Sequence, residues 1–395
     1  MNMSPDGTTP LIAGAERSTI RELLKVPADF PDPAGVEASM DHWLYERYVD
    51  DAAGWKRRLY YMLKPVIPRP IQIALRQRYV KVQSETTFPA WPVEPLLVQK
   101  VDAYLRAMLK GRTEVPRIAY WPGNARAAFV ITHDVEWDTG LRRAPALAAL
   151  EKELGFTSCW NLVPERYPID WSIVDALRND GFEIGMHGLK HDGKLFQSRS
   201  VFTERLTAIH AYARQWGAEG FRSPSTLRNA DWMTAMAFAY DSSFPDTDPY
   251  EPQTGGCCSI WPYFLGSMVE LPLSLPQDHA LFEILQHRDI RVWKEKLEWI
   301  ARHGGVAMLN IHPDYMLTEE RLGFYRDLLL HVKAVPGLWH VQPREAARWW
   351  RDRQASTLRM EGGRWRIEGP AAAQGRCVVA RWENDEVVTH DAAGV

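Results

Sequence analysis

The residues best equipped for chemistry fall in two short stretches. HGLKH places His187 and His191 four apart, and ITHDVEWDTG places Asp134 and Glu136 two apart. Imidazoles at that spacing on one helical turn face the same way and can share a cation. A carboxylate as third ligand would complete a facial site of two histidines and one acid, with positions left for water and substrate. Zn2+ is the expected divalent metal, and Co, Ni, Fe or Mn suit the same donors. The two acids can point to one centre if the backbone turns there. One would then hold the metal while the other takes a proton from water. Asp138 and Thr139 are expected instead to cap the helix predicted by TGLRRAPALAALEKEL, and His133 to pack behind the site.

Such groups need a scaffold that brings distant stretches together. From about residue 120, short apolar runs alternate with amphipathic stretches. The runs are AAFVIT (127–132), FTSCWNLV (156–163), FEIGM (182–186), EGFRS (219–223), AYDSS (239–243), MVELPLSL (268–275), GVAMLNI (305–311) and LWHV (338–341). Helical periodicity lies between most of them, as in DWSIVDALRND, TERLTAIHAYARQW, VWKEKLEWIAR and ERLGFYRDLLLHVK. This alternation predicts an α/β fold with a parallel sheet: a (β/α) barrel of seven or eight units, with a doubly wound open sheet as the alternative. In a barrel, reactive groups gather just past the C-terminal ends of the strands. Asp134 and Glu136 follow the first run, and His187 and His191 the third. Arg222 comes at the end of the fourth, Asp241 lies in the fifth, and His312 follows the seventh. All stand on one predicted rim.

The flanks differ in texture. The expected organisation is a helical N-terminal region (1–118), the barrel (119–352) and a small β-rich tail (353–395). The tail rests on the alternating runs RWRIEG, RCVVARWE and EVVTHD. Residues 54–81 carry eight Lys and Arg, no acid, and interleaved apolar and aromatic residues. That pattern fits a solvated basic face, or a contact with anionic lipid or acidic polysaccharide. A net charge of -3 gives no sign of a nucleic-acid binder. No apolar run is long enough to span a membrane, and the first twenty residues do not read as a secretory signal. The four cysteines, Cys159, Cys257, Cys258 and Cys377, show no CxxC spacing, which favours a reducing, cytoplasmic setting. Of the many aromatics, Trp261, Tyr263 and Tyr315 are candidates to stack on a sugar ring.

The ordered motifs THDVEW, HGLKHD, FRSPS, YDSSFPD and LNIHPDY resemble those of the polysaccharide deacetylases, the carbohydrate esterases with a NodB-homology barrel. FTSCWNLVP resembles the second strand of that family, and the resemblance spans roughly residues 120–345. It implies that Asp134 is the general base, that Glu136, His187 and His191 hold the metal, and that Arg222 orients the base. It further implies that His312 is the general acid. Asp241 falls loosely near the fourth motif, where it would hold a histidine or shape the pocket. Two positions depart from the pattern. Glu136 stands where the family usually has Asp, and Ser225 stands where a Tyr is common, its backbone N–H helping the oxyanion. A backbone donor survives a change of side chain.

The expected activity is therefore a metal-dependent hydrolase that removes an N-acetyl group from a carbohydrate, such as a glycan or glycolipid precursor. A cytoplasmic chain would meet lipid-linked or nucleotide-linked precursors, with residues 54–81 near the inner membrane face. The alternatives are hydrolysis of another linear or cyclic amide on the same barrel, or a decayed site that only binds glycan or an assembly partner.

Overall fold

The computed structural model describes residues 18–49, 68–316 and 318–392. Its centre is a curled parallel sheet. After β1 (Val115–Ile118), which lies outside it, its strands are β2 (Ala127–Val135), β3 (Cys159–Leu162), β4 (Glu183–Met186), β5 (Gly220–Phe221), β6 (Tyr240–Asp241), β7 (Tyr263–Leu265), β8 (Met268–Glu270), β9 (Val306–Ile311) and β10 (Leu338–His340). All eight apolar runs became strands. Every residue of β2 is buried, as expected of a parallel strand covered on both faces.

The strand order settles the choice between barrel and open sheet. Each of β2, β3, β4, β5, β6 and β8 lies parallel beside the next, with no reversal of direction around the sheet. The chain beyond β8 then closes the ring. The Leu275 N–H donates to the Met308 carbonyl of β9 at 3.0 Å, and β9 pairs along β2 from Val306 to Ile311. β10 adds an eighth parallel strand against the start of β2, and β7 folds back antiparallel on β8.

The crossovers are helices with legible ends. Trp171–Asn179 is capped by Asp170, Arg199–Trp216 by Ser198 and Glu319–Ala334 by Thr318. Gly217 and Gly304 take left-handed conformations just past Arg199–Trp216 and Arg291–His303. Asp138 does not cap its helix. It is the first residue of Asp138–Glu153 and pairs with Arg142 at 2.8 Å, which suits an acid near the positive end of a helix.

Before the barrel, helix Leu96–Met108 buries Leu97, Val101, Tyr104 and Leu105, while the described part of ASMDHWLYERYVDD yields only the single turn Asp41–Leu44. This region is tied down by polar contacts. Arg228 is buried against Glu46, with Nε 2.6 Å from Oε2, and the Tyr48 hydroxyl donates to the Gly256 carbonyl at 2.6 Å. At the other end, β11 (Thr357–Glu361) and β12 (Arg364–Glu368) form a hairpin, and β13 (Cys377–Glu383) pairs with β14 (Glu386–Asp391). β1 joins β13 antiparallel, so residues 115–118, read from sequence as part of a helical region, supply an edge to the tail's sheet. Of the basic stretch 54–81, residues 54–67 lie outside the described residues. No helix among the described residues is long and apolar enough to cross a membrane.

Candidate active site

The end of β2 sorts its residues by the two-residue period of a strand. Thr132 and Asp134 face the barrel lumen, while His133 faces the helices. His133 stacks on Trp160 at 4.0 Å, and its Nε2 lies 2.6 Å from Glu151, which also accepts from Ser158 and Tyr325. His133 is thus packed behind the site.

Asp134 is clamped from both sides. Its Oδ1 accepts from the Asn161 amide of β3 at 2.9 Å, and its Oδ2 from the Asn310 amide of β9 at 2.8 Å. Arg222 Nη1 stands 3.7 Å from Oδ2 and has no hydrogen-bond partner of its own. The rest of that buried guanidinium donates to Ser242, and to Thr132 at 3.1 Å. Burial alone would raise the Asp134 carboxyl. The charges of His187, Arg222 and His312, with the Asn161 hydrogen bond, outweigh it and hold Asp134 well below the usual carboxylate range. It is a carboxylate at neutral pH, as a base must be.

The close approach of β4 makes this clamp possible. A Cβ on Gly185 would lie 2.2 Å from Asn161 Oδ1 and 3.0 Å from Cys159 Sγ. Gly185→Ala is therefore expected to push Asn161 off Asp134. Because displacements of about an ångström at a reacting group cost on the order of a hundredfold, kcat/KM should fall by roughly that factor. Metal content should be unchanged. Steady-state kinetics beside metal analysis of the variant checks both, and an unaltered kcat/KM would rule out the clamp as a positioning device.

His187 and His191 meet, though not on a helix. The segment after β4 is an irregular loop in which Gly188 (φ 67°) and His191 (φ 52°) are left-handed. Gly188 is needed twice over, since a Cβ there would sit 2.6 Å from Pro224. The turn brings the two rings to 5.0 Å. His187 Nδ1–H donates to the Arg222 carbonyl at 3.2 Å, which leaves Nε2 buried, with its lone pair unengaged and no hydrogen-bond partner. His191 Nε2 lies 2.9 Å from Glu136 Oε1, again without an aligned hydrogen bond. One ligand atom from each of Glu136, His187 and His191 lies within 4.8 Å of the others. Two orphaned imidazole nitrogens and a carboxylate converging in this way fit a divalent cation. The longer Glu136 side chain still reaches the histidines. Asp314 contributes to its placement, as Oδ2 accepts the Glu136 N–H at 3.2 Å and Oδ1 accepts the Thr139 hydroxyl at 2.8 Å.

His312 arrives from the end of β9 with a partner that the sequence reading missed. Asp278 accepts from His312 twice, from ring Nδ1 at 2.6 Å and from the backbone N–H at 2.8 Å. His312 Nε2 is thereby aimed inward, 4.0 Å from Asp134 Oδ2. Burial opposes charge on His312. Asp278, with Glu136 and Asp134, overrides that and pushes its pKa up to about 10. Asp278 follows the sixth apolar run, so the strand-end rule applied there would have found it. Asp241 does not reach a histidine. It accepts from the Ser243 hydroxyl at 2.7 Å and from the Ser243 N–H at 3.2 Å. Burial, reinforced by Asp241, holds neighbouring Glu270 well above the usual carboxylate range.

The aromatic candidates divide. Trp261 and Tyr263 are buried, their polar tips on the carbonyls of His303 and Leu44. Burial leaves neither face open to a sugar. Tyr315 lies beside His312, at 5.4 Å between rings. Trp137, next to Glu136, is 47% exposed, and the Arg166 guanidinium lies 3.8 Å over its ring.

A buried, clamped carboxylate, three residues that could hold a metal and an acid-backed histidine thus share one rim. The barrel is similar to those of solved polysaccharide deacetylases. A structure from Mycobacterium smegmatis, provisionally described as a polysaccharide deacetylase, is 19% identical, with a TM-score of 0.47 over 58% of this chain and 92% of that one. One from Pseudomonas aeruginosa PAO1, also provisionally so described, is 17% identical, with a TM-score of 0.44 over 60% of this chain and 94% of that one. Puue allantoinase is 16% identical, with a TM-score of 0.44 over 59% and 93%. No family model and no curated protein matches the sequence.

Proposed function

We propose that this chain is a metal-dependent hydrolase that removes an N-acetyl group from a carbohydrate. The observation that carries the reading is the convergence of Glu136, His187 and His191 within 4.8 Å, beside an Asp134 that is ionised and oriented by two amides. A divalent ion held by these three residues, Zn2+ being the natural choice, would polarise the acyl carbonyl and acidify water. Asp134 takes the proton of the attacking water. Arg222 and the two asparagines keep that carboxylate in place. His312, charged through its contact with Asp278, gives its proton to the departing amine nitrogen, which is otherwise a poor leaving group. Ser225, at the turn after β5, supplies a backbone N–H for the developing oxyanion. Acetate and a free amino sugar result. Asp241 acts at a distance, by holding Ser243, whose hydroxyl oxygen accepts the Ser223 N–H at 2.8 Å.

A cytoplasmic chain of this kind would meet lipid-linked or nucleotide-linked glycan precursors, with residues 54–81 at the inner membrane face. A second reading, hydrolysis of another compact linear or cyclic amide, has one observation in its favour. None of Asp134, Glu136, His187, His191 and His312 is more than 8% exposed, which suits a small group entering a narrow site.

Metal analysis of the purified protein beside His187→Ala is the test. The wild type is expected to hold about one equivalent of a transition metal and His187→Ala far less, since three protein donors are needed for a tight site. Acetate release from N-acetylated sugars should follow metal content. A wild type that takes up no metal after supplementation with Zn, Co or Ni would move the site to a binding role.

A further inference from the structure

We propose that helix Arg69–Gln83 docks this protein on an anionic lipid surface, with the barrel rim that carries the candidate site turned toward the bilayer. The helix is mounted with its polar side inward. Arg76 donates to the Tyr250 carbonyl at 2.7 Å, Gln77 to the Glu283 carbonyl at 2.8 Å, and Gln83 to the Pro249 carbonyl at 2.7 Å. Its outward face is apolar. Ile71, Leu75, Tyr79 and Val82 follow one another at helical spacing and are 51%, 50%, 54% and 54% exposed.

A globular protein normally packs such a stripe and solvates the other side. Of the eleven large apolar side chains exposed among the described residues, four stand on this helix, so they form a patch rather than a scatter. The charges beside the patch name its partner. Arg78 and Lys81 are exposed on the same side, and the helix Arg69–Gln83 holds no acid. An apolar stripe with Arg78 and Lys81 beside it, on a helix without acids, suits a lipid interface with anionic headgroups. It does not suit a second copy of the same helix, whose like charges would repel.

The mounting also sets orientation. Glu283 belongs to the π-helical turn His279–Ile284, which begins directly after Asp278, the partner of His312. The lipid-facing helix and the site therefore share one end of the barrel. The consequence for substrate, that the acyl group removed sits on a membrane-anchored glycan, rests on the deacetylase reading. The docking does not.

Sedimentation of the full chain with vesicles tests it. The wild type is expected to pellet with phosphatidylcholine vesicles containing about 30% phosphatidylglycerol at least tenfold more (an order-of-magnitude expectation) than with phosphatidylcholine alone. Binding should weaken in ~0.5 M salt, where screening shortens the reach of the charges to a few ångströms. Leu75→Glu/Tyr79→Glu should lose binding with an unchanged Tm, because both side chains are exposed. Arg78→Glu/Lys81→Glu should lose the preference for anionic lipid. Equal wild-type binding to both vesicles, or binding untouched by Leu75→Glu/Tyr79→Glu, overturns the proposal. So does a wild-type dimer that this double substitution renders monomeric, which would assign the face to a second copy. Leu75→Glu/Tyr79→Glu should also slow deacetylation of a vesicle-borne N-acetylglucosaminyl lipid and spare soluble N-acetylglucosamine oligomers. A wild type inert on both substrates would sink the deacetylase reading alone, since sedimentation is read without turnover.

Discussion

Asp134→Asn is expected to lower kcat by roughly a thousandfold, the middle of the range for losing a general base, while metal content stays at the wild-type level. The separation follows from the division of labour at the end of β2. Glu136, two residues on, lies with His187 and His191, whereas both oxygens of Asp134 are occupied by amides. The substitution removes the proton acceptor without touching the metal donors. It should also cost stability. Asn310 is fixed in orientation by Gln277, at 3.0 Å from its Nδ2, and by the Thr132 hydroxyl, at 3.2 Å from its Oδ1. Asn161 accepts from Cys159 Sγ at 3.5 Å. An amide at position 134 would present its NH2 to one of two fixed NH2 groups, leaving a buried donor unsatisfied at a cost of about 1–3 kcal/mol. Buried Arg222 would lose a neighbouring anion as well. A kcat within tenfold of wild type, at full metal content, would remove Asp134 from the role of base.

Asp278→Asn should show itself in pH dependence. With Asp278 in place, His312 stays protonated through neutrality, its pKa pushed up to about 10. The alkaline fall in kcat should therefore lie near that value in the wild type. Without the Asp278 charge only Glu136 and Asp134 oppose the effect of burial on His312, so the fall moves to lower pH. At pH ~8 the variant should be slower by roughly 10²-fold, consistent with the loss of a general acid, and acidification should recover much of the rate. Stability has a matching sign. The folded-state pKa of His312 is raised above the ordinary imidazole value of about 6.5, so the contribution of the pair is complete below about 6.5 and fades as pH rises through about 10. The Tm difference between wild type and Asp278→Asn should shrink across that window. An alkaline limb that does not move would leave His312 without the role of acid.

The two variants probe residues that were unequally visible in the sequence. Asp134, Glu136, His187, Arg222 and His312 each follow or end a short apolar run. A strand end in a parallel barrel is an address that a sequence carries by itself, because the run, the period of the strand and the following polar residue are all local. The eight strands and most crossover helices are legible for the same reason. Asp278 was equally local and was passed over. Asn161 and Asn310 were not accessible in that way. Each is an ordinary amide within an apolar strand, and only the parallel registers of β2 with β3 and of β2 with β9 place them on either side of Asp134.

Tertiary structure alone decided several further points. The histidines share a site through a loop with left-handed residues at 188 and 191, not through the helical turn that their spacing suggested. Asp241 is engaged by Ser243 and Glu270, and not by an imidazole. The first strand of the tail's sheet comes from residues 115–118, some 260 residues earlier in the chain than its partner β13. A pairing so distant leaves no local trace. What the amino-acid sequence determined by itself was the order of strands and the chemistry at their ends, because both depend on neighbours in the chain. Which amide, which acid and which carbonyl completes each of those groups depends on neighbours in space, and these exist only once the ring has closed.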